Sequence, residues 1–173
     1  MNSKIILAVL IAVSFSYMVY SYFIVGSLDC SDEKGECYSS TISRIIDGDT
    51  IKDSDDKSIR FSLASAPELS EPGGIEAKEY IESVCPVGSP ILIDEDDLQL
   101  SGSYDRMIAK ITCKGINLNQ SLLTSSHGTI DTIYCNNSEF SEESWASECQ
   151  QINSEFEKGM TSVKQAVYNI IND

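Results

Sequence analysis

Residues 5–28 form an apolar run without one charged side chain, and every cysteine of the chain lies beyond it. A run of that length is long enough to cross a bilayer as a helix. Lys4 precedes it, whereas Asp29, Asp32, Glu33 and Glu36 follow. The positive-inside rule therefore puts the N-terminus in the cytoplasm and the remainder outside. Tyr17, Tyr20 and Tyr22 suit a membrane interface, which favours an uncleaved single-pass anchor over residues 1–28. The rival reading is a signal peptide cut after the small residues around Val25 and Ser27, giving a secreted product. Both routes lead to an oxidising compartment. Cys30, Cys37, Cys85, Cys113, Cys135 and Cys149 make an even set, as disulfides require. No C-x-x-C pair occurs and there is one histidine, so zinc fits poorly. The expected pairs are Cys30–Cys37, Cys85–Cys113 and Cys135–Cys149. They would close a short loop, tie a helix end to a strand, and tie a strand end to the C-terminal helix.

Residues 29–40 read as a linker. Beyond it, residues 38–46 carry the β-branched and apolar content of a strand, and Asp47-Gly48-Asp49 supplies a turn. Residues 50–52 and 58–63 read as strands around a polar turn at 53–57. A loop with Pro67 and Pro72 leads to Gly73-Gly74 and a helix over 75–84, with Ile75, Tyr80, Ile81 and Val84 on one face. Residues 90–93 and 98–100 read as a strand pair or one bent strand, and 107–113 as another strand. Residues 117–124 suit a short helix with Leu118, Leu122 and Leu123 inward, ended by Gly128. Asn119-Gln120-Ser121 and Asn136-Asn137-Ser138 have the spacing of glycosylation acceptors.

From residue 141 onward, Trp145, Cys149, Ile152, Phe156, Met160, Val163, Val167 and Ile170 recur every three or four positions. That period predicts a long amphipathic helix over 141–173, with Glu142 and Glu143 in its first turn and Gly159 as a weak point. It either faces the core along its length or self-associates through its far half.

Only three arginines occur. Arg60 stands in Ser58-Ile59-Arg60-Phe61, ahead of Ala66-Pro67-Glu68, and Arg106 stands in Tyr104-Asp105-Arg106. Upstream of both runs Ile46-Asp47-Gly48-Asp49-Thr50-Ile51. A guanidinium grips phosphate oxygens bidentately and stays charged at any working pH. An aspartate beside a turn glycine can hold a hard cation, and a glutamate can act on water. In this order and spacing the pieces resemble the staphylococcal-nuclease (thermonuclease) family, over roughly residues 42–134.

That resemblance implies an α+β fold: a five-stranded OB-fold β-barrel with two to three helices over residues 41–140. It also implies Ca²⁺-assisted hydrolysis of DNA and RNA, with water adding in line and the 5′-oxygen leaving. By the same resemblance Asp49 would ligate the ion, and Ala66 would offer it a carbonyl. Thr50 would support its water shell. Arg60 and Arg106 would stabilise the phosphate charge, and Glu68 would orient or deprotonate water. Tyr104 and Tyr134 would flank a bound nucleotide. The chain departs from the family in one place. The usual D-T-P-E is Ser65-Ala66-Pro67-Glu68 here, so one metal-binding carboxylate is missing. Calcium affinity follows ligand charge, so roughly millimolar binding is expected.

The formal net charge is −15, which opposes the basic footprint usual for nucleic-acid binders. Asp53, Asp55, Asp56 and the run from Asp94 to Asp97 would repel a polyanion unless salt screens them. Two functions stay open: a nuclease acting outside the cytoplasm, and a catalytically weakened OB module that binds a partner or itself.

Overall fold

The computed structural model describes residues 37–99 and 106–172. The expected anchor at 1–28, most of the linker, Cys30, Leu100 and Tyr104 lie outside the described residues. Among those described, no helix is long and apolar enough to cross a membrane.

The chain is α+β, built on a closed five-stranded, OB-like barrel. Its strands are β1 (Cys37–Ile45), β2 (Thr50–Asp53), β3 (Ser58–Phe61), β5 (Pro90–Glu95) and β6 (Met107–Cys113). Antiparallel pairing runs β3-β2-β1-β5-β6, and a parallel β3–β6 pairing closes the ring. Closure leaves no long edge among these strands, as short strands in water need. Period-2 alternation sends Ile51, Ile59, Phe61, Ile91, Ile93, Ala109 and Ile111 inward, all at most 2% exposed. β1 starts at Cys37, inside the segment read as linker, because residues 37–41 pair with β5.

Short elements complete the domain: β4 (Ala64–Ser65), α1 (Gly74–Val84), β7 (Ile116–Asn117), α2 (Leu118–Thr124) and β8 (Thr129–Ile130). In α1, Ala77 and Ile81 face the core, whereas Ile75 is exposed, contrary to the face expected for it. In α2, Leu118 and Leu122 are buried and Asn117 caps the first turn by accepting from the Gln120 N–H. The helix stops before Gly128. Ser125 is its cap, and Ser126 takes the left-handed conformation at φ 62°. Leu98 does not extend a strand; it is exposed in the turn after β5.

Disulfides join Cys85 to Cys113 and Cys135 to Cys149, two of the expected pairs. Cys37 is also disulfide-bonded. Asn119 is fully buried, so its sequon is closed to modification in the folded chain, whereas Asn136 is exposed.

The tail differs most from expectation. Residues 132–146 form three short 3-10 turns, and the helix α3 (Ser147–Asn172) begins only at Ser147. Glu142 and Glu143 therefore precede it, and Glu148 occupies its first turn. The turns and the helix start gather Leu63, Cys135, Phe140, Ala146 and Cys149 into a second small core, with Trp145 and Ile152 against it. Lys110 on β6 joins this layer to the barrel, meeting Asp94 at 3.0 Å and Glu143 at 2.8 Å. Gly159 does not interrupt α3.

Candidate functional site

The turn between β1 and β2 places Asp49. The Asp47 carboxylate accepts from the Asp49 N–H at 3.0 Å, and the Ile46 N–H reaches the Thr50 carbonyl at 2.9 Å. Gly48 sits where any larger residue would collide. A Cβ there would lie 2.6 Å from the Cβ atoms of both Ala66 and Ala77. The turn is thereby pressed against the loop after β4 and against α1. Gly74 has a similar role, since its Cβ would fall 2.0 Å from the Glu68 carbonyl oxygen.

This packing gathers five of the sequence-derived residues. Asp49 is 2% exposed. Its Oδ1 accepts from Arg60 Nη1 at 2.7 Å and from Thr50 Oγ1 at 2.9 Å, and its Oδ2 accepts from the Ala66 N–H at 2.7 Å. The second guanidinium nitrogen, Arg60 Nη2, donates to Ser65 Oγ at 3.1 Å. The guanidinium thus spans Asp49 and Ser65. Burial pushes the Asp49 carboxyl above its ordinary value, and nearby Asp47 adds to this; the Ala66 N–H, Arg60 and Thr50 pull it down.

Arg106 stands one residue ahead of β6, whose Met107 pairs with Ile59 of β3. Continuing that register sets it beside Ser58, roughly 7 Å along the sheet from Arg60. Glu68 is exposed in the loop before α1, where its N–H donates to the Glu71 carboxylate at 3.0 Å and its carbonyl accepts from the Glu71 N–H. Tyr134 is exposed on the first 3-10 turn and does not line the cleft described next.

A cleft of about 410 Å³ opens between residues 65–67 and 71–73 on one side and 126–129 on the other. The pairing of β4 with β8, Ser65 against Thr129, brings its walls together. His127 lines it, with its ring stacked on Tyr80 at 4.6 Å and its Nδ1 3.0 Å from Ser125 Oγ. Glu71, His127 and Gly128 were not singled out for this site from sequence. The local signal for His127 and Gly128 is the Ser/Gly-rich stretch after α2, and for Glu71 the Pro/Gly-rich loop before α1.

Calcium takes six to eight oxygen ligands. Here the one carboxylate of the D-G-D turn that faces the site already accepts three hydrogen bonds, and Ser65 brings no charge. Ala66 presents its N–H, not its carbonyl, to Asp49. Among the described residues no group of three or more His, Cys, Asp or Glu side chains converges to hold a metal. The Arg60 guanidinium is the cation that neutralises Asp49.

No protein-family model matches the chain, and no curated protein matches it either.

Proposed function

We propose that the chain is a thermonuclease-like phosphodiesterase that acts on DNA or RNA outside the cytoplasm, tethered by residues 1–28. The observation that carries this reading is the posture of Arg60. A guanidinium has five N–H donors. Two point at Asp49 and Ser65, which leaves three for a phosphodiester; Arg60 does not line the cleft itself but donates to Ser65, which does. Because its orientation is set in advance, little reorganisation accompanies binding of the charge that develops on phosphorus. Arg106, just ahead of the neighbouring strand β6, supplies a second cation. Glu68 follows the cleft wall at Pro67 and is exposed; in this reading it orients or deprotonates the attacking water.

The test is digestion of plasmid DNA and RNA by the full chain, with millimolar calcium or with chelator. Glu68→Ala is expected to lower cleavage about 100-fold or more, the usual weight of a general base. Its exposure makes a folding defect an unsuitable explanation for such a loss. Cleavage that survives this substitution would place the chemistry elsewhere.

A second reading has its own support. Asp49 already accepts three hydrogen bonds and Ser65 is neutral, so Arg60 is held by protein groups, as it would be in a non-catalytic OB module. Inactivity across salt and calcium concentrations would favour it. The two readings share a prediction about the ion. Wild-type stability should change little with millimolar Ca²⁺, whereas Ser65→Asp restores a second carboxylate facing the site. The variant is expected to gain roughly 2–3 kcal/mol of calcium-dependent stability at ligand about 100-fold above its Kd. Thermal unfolding with and without calcium reads this directly, and an unresponsive variant would show that Asp49 cannot be recruited.

A further inference from the structure

The far half of α3 carries an apolar stripe that none of the described residues covers. Cys149 is buried and Ile152 half-buried, but the described side chains from Ser154 onward are exposed. Phe156, Met160, Val163 and Val167 are 39–59% exposed. They recur at spacings of four, three and four, the heptad spacing of a two-stranded seam. At about 100° per residue they fall within one narrow face. Glu157 and Lys164 both lie on one flank of that face; Gly159 and Ser162 lie on the other. A Cβ at Gly159 would meet no atom within 4 Å, so its smallness answers no packing need among the described residues.

We propose that this stripe is the seam of a homodimer in which two copies of α3 pair antiparallel. The orientation follows from charge. In an antiparallel pair like flanks face each other, so Glu157 meets Lys164 of the second copy, and the two-fold axis repeats the contact. In a parallel pair Lys164 would face the uncharged Gly159 and Ser162. The layers then become Phe156 on Val167 and Met160 on Val163, each formed twice. The apolar residues here, two of them β-branched valines, gain burial that a solitary solvated helix would deny them.

Repulsion points the same way. With a formal net charge of −15 per chain, parallel helices would set two acidic barrels side by side. Antiparallel pairing separates the Cys149 positions by about 37 Å at 1.5 Å per residue. That is several Debye lengths at physiological salt, about 8 Å each. A lipid surface is a poorer occupant, since the polar side of this half carries Glu155, Glu157, Lys158 and Lys164 with no basic excess.

The test uses full-length chain in mild detergent. Chain bearing Phe156→Cys is mixed with chain bearing Val167→Cys under gentle oxidation. The mixed 156–167 disulfide should dominate, because like positions are offset by about 16 Å along an antiparallel pair. Self-linked 156–156 and 167–167 products would instead establish the parallel orientation and overturn the proposal. In sedimentation, Glu157→Lys should weaken dimerisation roughly tenfold, and adding Lys164→Glu should restore it. A wild-type chain that stays monomeric, or a stripe shielded only when vesicles are added, would also overturn it. Because the readouts concern association alone, their failure leaves the nuclease reading untouched.

Discussion

Leucine in place of Asn119 is expected to destabilise the domain by about 4 kcal/mol, enough to threaten folding altogether. The Asn119 carboxamide is fully buried and serves three backbone groups. It accepts from the Ile111 N–H at 3.0 Å and donates to the carbonyls of Ser62 at 2.8 Å and Ala109 at 3.1 Å. These groups lie where β3 leaves the barrel beside β6. Leucine has a similar volume but no polar atom, so the Ile111 N–H and the Ser62 carbonyl lose the carboxamide inside the protein, whereas the Ala109 carbonyl still accepts from the Ser62 N–H at 2.8 Å. Each buried unsatisfied group costs about 1–3 kcal/mol. Urea unfolding should show a lower midpoint at unchanged slope. The exposed Asn136 provides the control, and its replacement by alanine should be nearly silent. A loss below about 1 kcal/mol at Asn119 would mean that the barrel relaxes or admits water there.

The second large effect is expected at Arg60. Alanine there should reduce phosphodiester cleavage to background and also cost about 3 kcal/mol of stability, since it strands the Asp49 carboxylate. That side chain is only 4% exposed, and among the described residues Arg60 is its one cationic partner, at 2.7 Å. The pH dependence separates the two effects. Without the guanidinium, one influence that lowers the Asp49 carboxyl is gone, so its folded-state value rises further above the ordinary one. A carboxyl raised in the folded state adds stability below its unfolded value, and that stability is lost as pH rises through the folded value. The deficit of Arg60→Ala should therefore be largest near neutral pH and shrink on acidification. A pH-independent deficit would show that Asp49 is held by the Ala66 N–H and Thr50 alone. Arg60→Lys keeps the charge but loses the fork across Asp49 and Ser65. It should recover part of the stability and little of the cleavage.

Much of the barrel was legible in the chain because its signals are local. Alternation in 58–61 and strand content in 107–113, the Asp47-Gly48-Asp49 turn and the short helix after residue 117 each depend on neighbours a few residues apart. The pairs Cys85–Cys113 and Cys135–Cys149 were also legible, since they join ends of adjacent elements. Misreadings fell where a residue's partner is remote. Ile75 fits an apolar helical period yet faces water, because the α1 face that meets the barrel is set by Ala77 and Ile81. The 3.6-residue rhythm around Trp145 suggested continuous helix, but packing against Leu63 and the Cys135–Cys149 bridge holds residues 132–146 as tight turns. Asn119 read as a surface acceptor, although its three partners lie 8, 57 and 10 residues away.

The site divides along the same line. Residue types and their order already contained the arginines, the aspartate and the glutamate, because chemistry belongs to side chains whatever the fold does with them. What Asp49 binds could not be read that way. Whether its oxygens face a cation from solution or a guanidinium from the next strand depends on the β2–β3 register, on Gly48 letting Ala66 close in, and on a neutral Ser65. Those are contacts between distant parts of the chain, and they come into being only when the barrel closes.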